Sequence, residues 1–214
     1  MRLARGLGLG LTLLRPFYTS AAGGPSGLLR VNHALLAQAV RRGDTAIDCT
    51  CGNGFDSLIL SRLVLPTGEL HCIDLQKSAI DSTRLRLEQE FGKELVEKRV
   101  KLYQCTHATL PHLAKGSVAA IVYNLGYLPG SNSDKSVTTD VDSTLQSLQQ
   151  AFSEGLLRPN GILTIMTYPH NGQEESKVPE LLSGLSIQYW DVSTHKGLLG
   201  SGKGPTLYSA RRRS

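Results

Sequence analysis

The chain has 214 residues, 40% of them hydrophobic, with 23 Lys and Arg against 18 Asp and Glu. That is the length of one ordinary domain with a sizeable core, and it excludes a disordered or fibrous chain. Six of the arginines and none of the acids fall in residues 1–43, so the remainder carries one more acid than base. Such a body is no broadly basic coat for nucleic acid, and any contact of that kind must be local.

The first two dozen residues read as an address. Arg2, Arg5 and Arg15 stand among Ser, Thr and small residues, with leucines at near-helical spacing. That is the composition of an organelle transit peptide. Arg15-Pro-Phe-Tyr18 resembles a mitochondrial processing site, so a mitochondrion is expected first and a plastid second. A secretory signal is the competing reading, with Leu7–Leu14 as its apolar region and Ala21-Ala22 as its cleavage site. Four cysteines without a framework spacing argue against export. The Leu7–Leu14 run is too short to span a bilayer, and no membrane association is expected. Gly23-Gly-Pro-Ser-Gly27 is a hinge. The leader and hinge therefore occupy 1–27, and one domain is expected over 28–214.

Apolar residues at 31, 35, 36, 39 and 40 predict a helix over Arg30–Arg42, ended by Gly43-Asp44. Strands are predicted at 45–49, 69–74, 100–105, 119–124 and 161–167. Helices are predicted at 55–64, 77–90, 139–156 and 174–183. This alternation means parallel strands joined by crossovers. The end differs: Ser186–Val192 and Thr206–Arg212 read as two strands joined by a Gly-rich loop, a hairpin. The layout is that of an α/β, Rossmann-like class I S-adenosyl-L-methionine (SAM) methyltransferase sheet. Such a sheet is mostly parallel, with one antiparallel strand from the C-terminal hairpin and helices on both faces.

Ala46-Ile-Asp-Cys-Thr-Cys-Gly-Asn-Gly-Phe-Asp56 reads as a buried strand, a glycine turn and a helix start. The next strand ends in Asp74, about twenty residues past the last turn glycine, as in a nucleoside-cofactor βαβ unit. Gly52, Asn53 and Gly54 would pass under the cofactor. Asp48 would either orient the turn or meet the methionine ammonium. Asp74 would hold the ribose hydroxyls, with Gln76 beside it, and Thr106 and His107 would flank the adenine. A dinucleotide fold wants a third glycine where Ser57 stands, and Asp56 in the first turn would repel a pyrophosphate while suiting an amino-acid zwitterion. SAM is therefore favoured over NAD as the cofactor.

The fourth strand ends in Asn124-Leu-Gly-Tyr-Leu-Pro-Gly130. This resembles the Asn-Pro-Pro-Tyr motif of amine methyltransferases. The Asn124 side-chain oxygen and the Leu125 carbonyl could accept both N–H groups of an amine, with Gly126 in the loop and Tyr127 stacked on an adjacent ring. Asn124 would also border the cofactor. An alkylammonium must lose a proton before it can attack, and His107, Tyr127 and His170 are the candidate acceptors. Tyr168 and His170, after the fifth strand, could wall the substrate pocket.

Cys49 and Cys51, with Cys72 and Cys105, lack the paired knuckles of a zinc site, so no metal is expected. Lys196, Lys203 and Arg211–Arg213, with Arg41 and Arg42, could meet phosphates or be solvated loop charges. Oligomeric state is left open, a homodimer included.

The body from about residue 30 to 192 resembles a small SAM-dependent family labelled rRNA methylases, whose members N-methylate 5-aminomethyl-2-thiouridine at the tRNA wobble position. The matching segments are Gly43–Asp56, Ile73-Asp-Leu-Gln76 and Asn124–Gly130. Phe55 stands where the bacterial pattern often has His. Tyr168–Glu175 matches the family's His-rich turn only loosely. The resemblance implies SAM as cofactor and the tRNA anticodon region as partner. Other readings are methylation of rRNA or of another amine, an NAD-linked oxidoreductase, and a non-catalytic RNA-binding subunit.

Overall fold

The computed structural model describes residues 27–126, 140–169, 172–197 and 204–214. The leader proposed before residue 27, Tyr127, His170 and Lys203 lie outside the described residues. In chain order the elements are α1 (Gly27–Ala39), β1 (Thr45–Asp48), α2 (Phe55–Val64), β2 (Glu69–Asp74), α3 (Lys77–Phe91), α4 (Lys93–Arg99) and β3 (Val100–Gln104). They continue with β4 (Val118–Asn124), α5 (Val141–Ser153), β5 (Leu157–Thr167), α6 (Gly172–Ser183), β6 (Trp190–Lys196) and β7 (Thr206–Arg212).

The strands form one sheet in the order β3-β2-β1-β4-β5-β7-β6. β1 to β5 pair in parallel, and β7 runs antiparallel between β5 and β6. This is the mostly parallel sheet with one reversed strand that the alternation predicts. β4 shows why. Val118–Tyr123 are all fully buried, the unbroken apolar run of a strand covered on both faces. Alternate residues serve opposite faces. Ala120 and Val122 pack with Leu36, Leu60, Leu87 and Val96 from α1 to α4. Ile121 and Tyr123 pack with Leu148 of α5 and with Val178 and Leu182 of α6.

Strand order reverses between β1 and β4, since β2 and β3 build outward on one side and β5 on the other. The crevice at the carboxyl ends of β1 and β4 is where such sheets take ligands.

Several boundaries differ from expectation. α1 spans 27–39 rather than 30–42, and the chain turns over Arg41–Asp44, with the Asp44 N–H on the Arg41 carbonyl. α4 was not foreseen: Gly92, at φ +81°, interrupts one apolar stripe and Val96 packs a second short helix into the core. α5 is shorter than the predicted 139–156. Asp140 sets its start, accepting the Ser143 N–H at 2.9 Å. β5 begins four residues before the predicted start, at Leu157, and its register against β4 shifts between Val118 and Ala120. Pro159-Asn-Gly161 looks like a turn in sequence, and Asn160 does take positive φ, but it forms an irregularity inside the strand. β6 begins at Trp190, not Ser186. The Tyr189 and Trp190 N–H groups both bond the Ser186 carbonyl and make a turn of that segment.

Arg158 joins β5 to the end of α1. It donates from Nη2 to the Ala39 carbonyl and to Asp44 Oδ2, both at 2.8 Å, while the Arg41 N–H donates to the same Asp44 oxygen. Arg158→Ala is expected to lower the unfolding free energy by roughly 1–3 kcal/mol in urea titrations, since it strands charged and main-chain acceptors together. An unchanged midpoint would show that α1 is held by its apolar face alone.

Candidate functional site

The first βα turn is built around glycine. Gly52 and Gly54 take φ of +49° and +78°. A Cβ at Gly54 would stand 2.9 Å from the Thr83 Cα on α3, so both backbone angle and space demand glycine there. Thr83 also donates from Oγ1 to the Gly52 carbonyl at 3.0 Å. Arg86 donates to the Asn53 carbonyl at 2.7 Å and lays its guanidinium 4.0 Å from the Phe55 ring centroid. The turn is thus seated on α3 from beneath.

Asp74 ties the first two turns together. Its Oδ2 accepts the Gly52 N–H and its Oδ1 the Gln76 N–H, both at 2.9 Å. Burial raises its carboxyl above the usual range, while main-chain N–H groups pull the other way. Each oxygen spends one lone pair on these bonds and keeps acceptor capacity. Leu75, next in the chain, is exposed, and Cys105 N–H bonds the Asp74 carbonyl at 3.0 Å, bringing the β3 loop alongside. A half-buried carboxylate, a close-approach backbone and an exposed apolar side chain fit an adenosine-type ligand.

Asp48 is wholly buried. It accepts the Ser57 hydroxyl at 2.6 Å and the Thr50 N–H at 3.2 Å. Ser57 in turn accepts the Cys72 thiol. So Ser57, at the missing third-glycine position, works as a partner for Asp48. Burial, then the negative charge of Asp56, pushes Asp48 up to about 7.

Asp56 is 6% exposed and points across the crevice. His33 Nε2 meets its Oδ1 at 2.9 Å, and Asn124 Nδ2 donates to its Oδ2 at 3.2 Å. Asn124 is held on every side: its main-chain N–H donates to Thr50 Oγ1 at 2.7 Å, and its Oδ1 accepts the Tyr168 hydroxyl at 3.0 Å. The structure therefore brings Asp56, Asn124 and Tyr168 together at the start of α2 and the ends of β4 and β5. His33 escaped the sequence reading. Its signal was faint: it lies three residues before Leu36, on the buried face with Asn32 and Ala39.

Beside them, the Leu125 side chain is core and its N–H bonds the Met166 carbonyl at 2.8 Å. Gly126 faces the Tyr168 ring, where a Cβ would come within 3.4 Å. Thr106 is exposed and caps Ala108. His107 is buried, bonded through Nε2 to Thr144 Oγ1 at 3.1 Å and edge-on to Tyr123. Thr144 spends its own proton on the Asp140 carbonyl, so the His107 Nε2 must be the N–H and Nδ1 carries the lone pair. Burial pushes His107 down to about 4, so it is neutral at pH 7.

Among the described residues no three His, Cys, Asp or Glu gather as a metal site, and no helix is long and apolar enough to cross a membrane. Burial pushes the Cys49, Cys51 and Cys72 thiols up, which makes them packing groups and not nucleophiles. Of the basic residues expected at phosphates, Arg212 is committed to the Gly155 and Leu157 carbonyls.

Residues 70–210 match the family described as "Putative rRNA methylase". The chain is 37% identical over 170 residues to a protein of Arabidopsis thaliana named tRNA (mnm(5)s(2)U34)-methyltransferase, chloroplastic. That match takes in 75% of this chain and 60% of the relative, so the chain spans well under the relative's full length. A putative rRNA-methylase from Clostridium thermocellum superposes with a TM-score of 0.78 at 30% identity, over 88% of this chain and 98% of that one. A putative methyltransferase from Streptococcus mutans, in complex with SAH, superposes with a TM-score of 0.75 at 28% identity, over 88% and 99%.

Two outcomes are expected of the turn. Gly54→Ala should destabilise by at least about 1–3 kcal/mol, read by thermal melting, since strain and a backbone clash coincide; a wild-type melting curve would contradict the seating on α3. Asp48 binds its proton up to about pH 7 when folded but only to about pH 4 when unfolded, so its stabilising proton uptake is complete below pH 4 and lost as pH rises through 7. The melting temperature of Asp48→Asn, relative to wild type, should therefore climb between pH 5 and pH 8. A constant difference would show that Asp48 titrates normally.

Proposed function

We propose that this chain, which belongs to the rRNA methylase family, is a SAM-dependent N-methyltransferase acting on an RNA amine. The acceptor is the aminomethyl group of a wobble 5-aminomethyl-2-thiouridine in an organellar tRNA. The observation that carries the reading is the placement of Asn124. Its amide lies at the end of β4, across the switch point from the Asp74 turn, with its nitrogen on Asp56 and its oxygen beside Tyr168.

Asp74 would hold the ribose hydroxyls, and Gly52, Asn53 and Gly54 would let the backbone lie close beneath. Gln76, Thr106 and the exposed Leu75 would border the base. SAM, when bound, supplies an electrophilic methyl group on its sulfonium. The chain's own task is to present a nitrogen lone pair to it. The Asn124 oxygen and the Leu125 carbonyl would accept the two N–H groups of the acceptor, which leaves the lone pair one direction in which to point. Such positioning is worth several powers of ten in rate. Tyr168 would fix the far side of the amide, and Tyr127 would stack on the base. The acceptor reaches neutrality by losing a proton to Tyr127, His170 or water; His107, buried against Thr144 and Tyr123 and held down to about 4, is too weak a base for an alkylammonium.

The plant relative's name supports both the wobble substrate and an organellar setting, mitochondrion or plastid. RNA would be met locally, by Arg41 and Arg42 after α1 and by Lys196, Arg211 and Arg213 around the hairpin.

The test separates binding from chemistry. Asp74→Ala is expected to weaken S-adenosylhomocysteine binding by about 10-fold or more in calorimetry, since it removes a charged acceptor. Asn124→Ala should leave that affinity nearly unchanged and lower turnover on an aminomethyl-uridine RNA. Equal loss of cofactor affinity in both would refute the division. NADH binding in place of S-adenosylhomocysteine would establish an oxidoreductase instead.

A further inference from the structure

An amide has two ends of similar size and opposite hydrogen-bonding character. If Asn124 presented its NH2 to the acceptor amine, two donors would face each other and the clasp would fail. Something must choose the end. Among the described residues, the Asp56 carboxylate is placed to do so. Asn124 Nδ2 donates to Asp56 Oδ2 at 3.2 Å, so the end of Asn124 turned to that carboxylate is the NH2. The Tyr168 hydroxyl agrees from the other side, donating to Asn124 Oδ1 at 3.0 Å.

Asp56 needs support of its own. It is 6% exposed, and a buried anion without donors is costly. His33, itself 4% exposed and 23 residues earlier on α1, meets its other oxygen at 2.9 Å. That bond fixes the carboxylate plane and leaves Oδ2 turned toward β4. The two oxygens are thus divided between one side chain of α1 and one of β4. Nothing about a turn or a helix start requires this. α2 opens after Gly54 without any side-chain cap, and Asp56 does not supply one.

We propose that Asp56, oriented by His33, is the positioning residue that sets the polarity of the Asn124 amide, so that its oxygen and never its nitrogen faces the acceptor amine. The inference rests on the methyltransferase reading, and it gives Asp56 a task on the acceptor side of the crevice, where the sequence suggested the cofactor's ammonium. His33 and Asp56 act through Asn124 and touch neither reactant.

The test uses the full chain and three readouts. In Asp56→Asn the new amide keeps its oxygen for His33 and turns its own NH2 to Asn124, which must then flip. Turnover on an aminomethyl-uridine RNA is expected to fall about 10–100-fold, with S-adenosylhomocysteine affinity and melting temperature nearly unchanged. Adding Asn124→Asp to Asp56→Asn restores an accept-only group facing outward and a donor behind it. This double variant should recover at least about tenfold over Asp56→Asn alone, whereas Asn124→Asp by itself sets two carboxylates together and should not. His33→Gln, which keeps a donor, should retain most activity, and His33→Leu should fall with Asp56→Asn. Independently of turnover, the side-chain N–H pair of Asn124 in the cofactor-free protein should show one proton shifted downfield and slow to exchange, and Asp56→Asn should abolish it.

Full turnover in Asp56→Asn, or a double variant no better than it, would overturn the proposal. So would an Asn124 N–H pair indistinguishable from exposed amides. A wild-type protein that methylates no amine, yet keeps the shifted N–H pair, would sink the functional reading and leave the amide's orientation standing.

Discussion

Three carboxylates are gathered around one glycine turn, and the need to satisfy each of them shapes the crevice. Asp48 takes Ser57 and the Thr50 N–H, Asp56 takes His33 and Asn124, and Asp74 takes the Gly52 and Gln76 N–H groups. Like charges this close cannot all be buried and ionised at ordinary cost. The structure meets the problem unevenly. Asp48, the deepest, is driven toward its neutral form, while Asp56 and Asp74 find donors from other elements. Those donors come from α1, β4 and two neighbouring turns. Satisfying the acids therefore draws α1, β4 and the two turns to one place.

The sheet supplies the rest. Placing β1 between β2 and β4 opens the crevice at the end of β1, where the glycine turn begins. β4 delivers Asn124 to one side and β2 delivers Asp74 to the other. Because β4 is buried from Val118 to Tyr123, the position of Asn124 at its end is anchored by the core. α1 closes the arrangement. Arg158 and Asp44 fasten its end to β5, and its buried face carries His33 beneath the turn.

What the sequence made legible follows from this physics. The parallel strands, the glycine turn and the reversed strand of the hairpin all leave strong local patterns: apolar runs, positive-φ glycines and a missing crossover helix. Asp74 was found by its distance from the turn. α4 was missed because Gly92 and two adjacent apolar residues, Leu95 and Val96, leave almost no periodic signal. The start of β6 was misplaced because an exposed edge strand has no buried face to alternate with. His33 could not be found by spacing at all. Its partner is 23 residues away and on another element, and only the fold puts the two in contact. The same holds for the link between Tyr168 and Asn124.

The most direct test of the account is a crystal structure of the protein with S-adenosylhomocysteine. The ribose is expected on the Asp74 carboxylate, with the sulfur facing the Asn124 amide across the crevice. A ligand whose sulfur points away from Asn124, or that leaves Asp74 untouched, would contradict it.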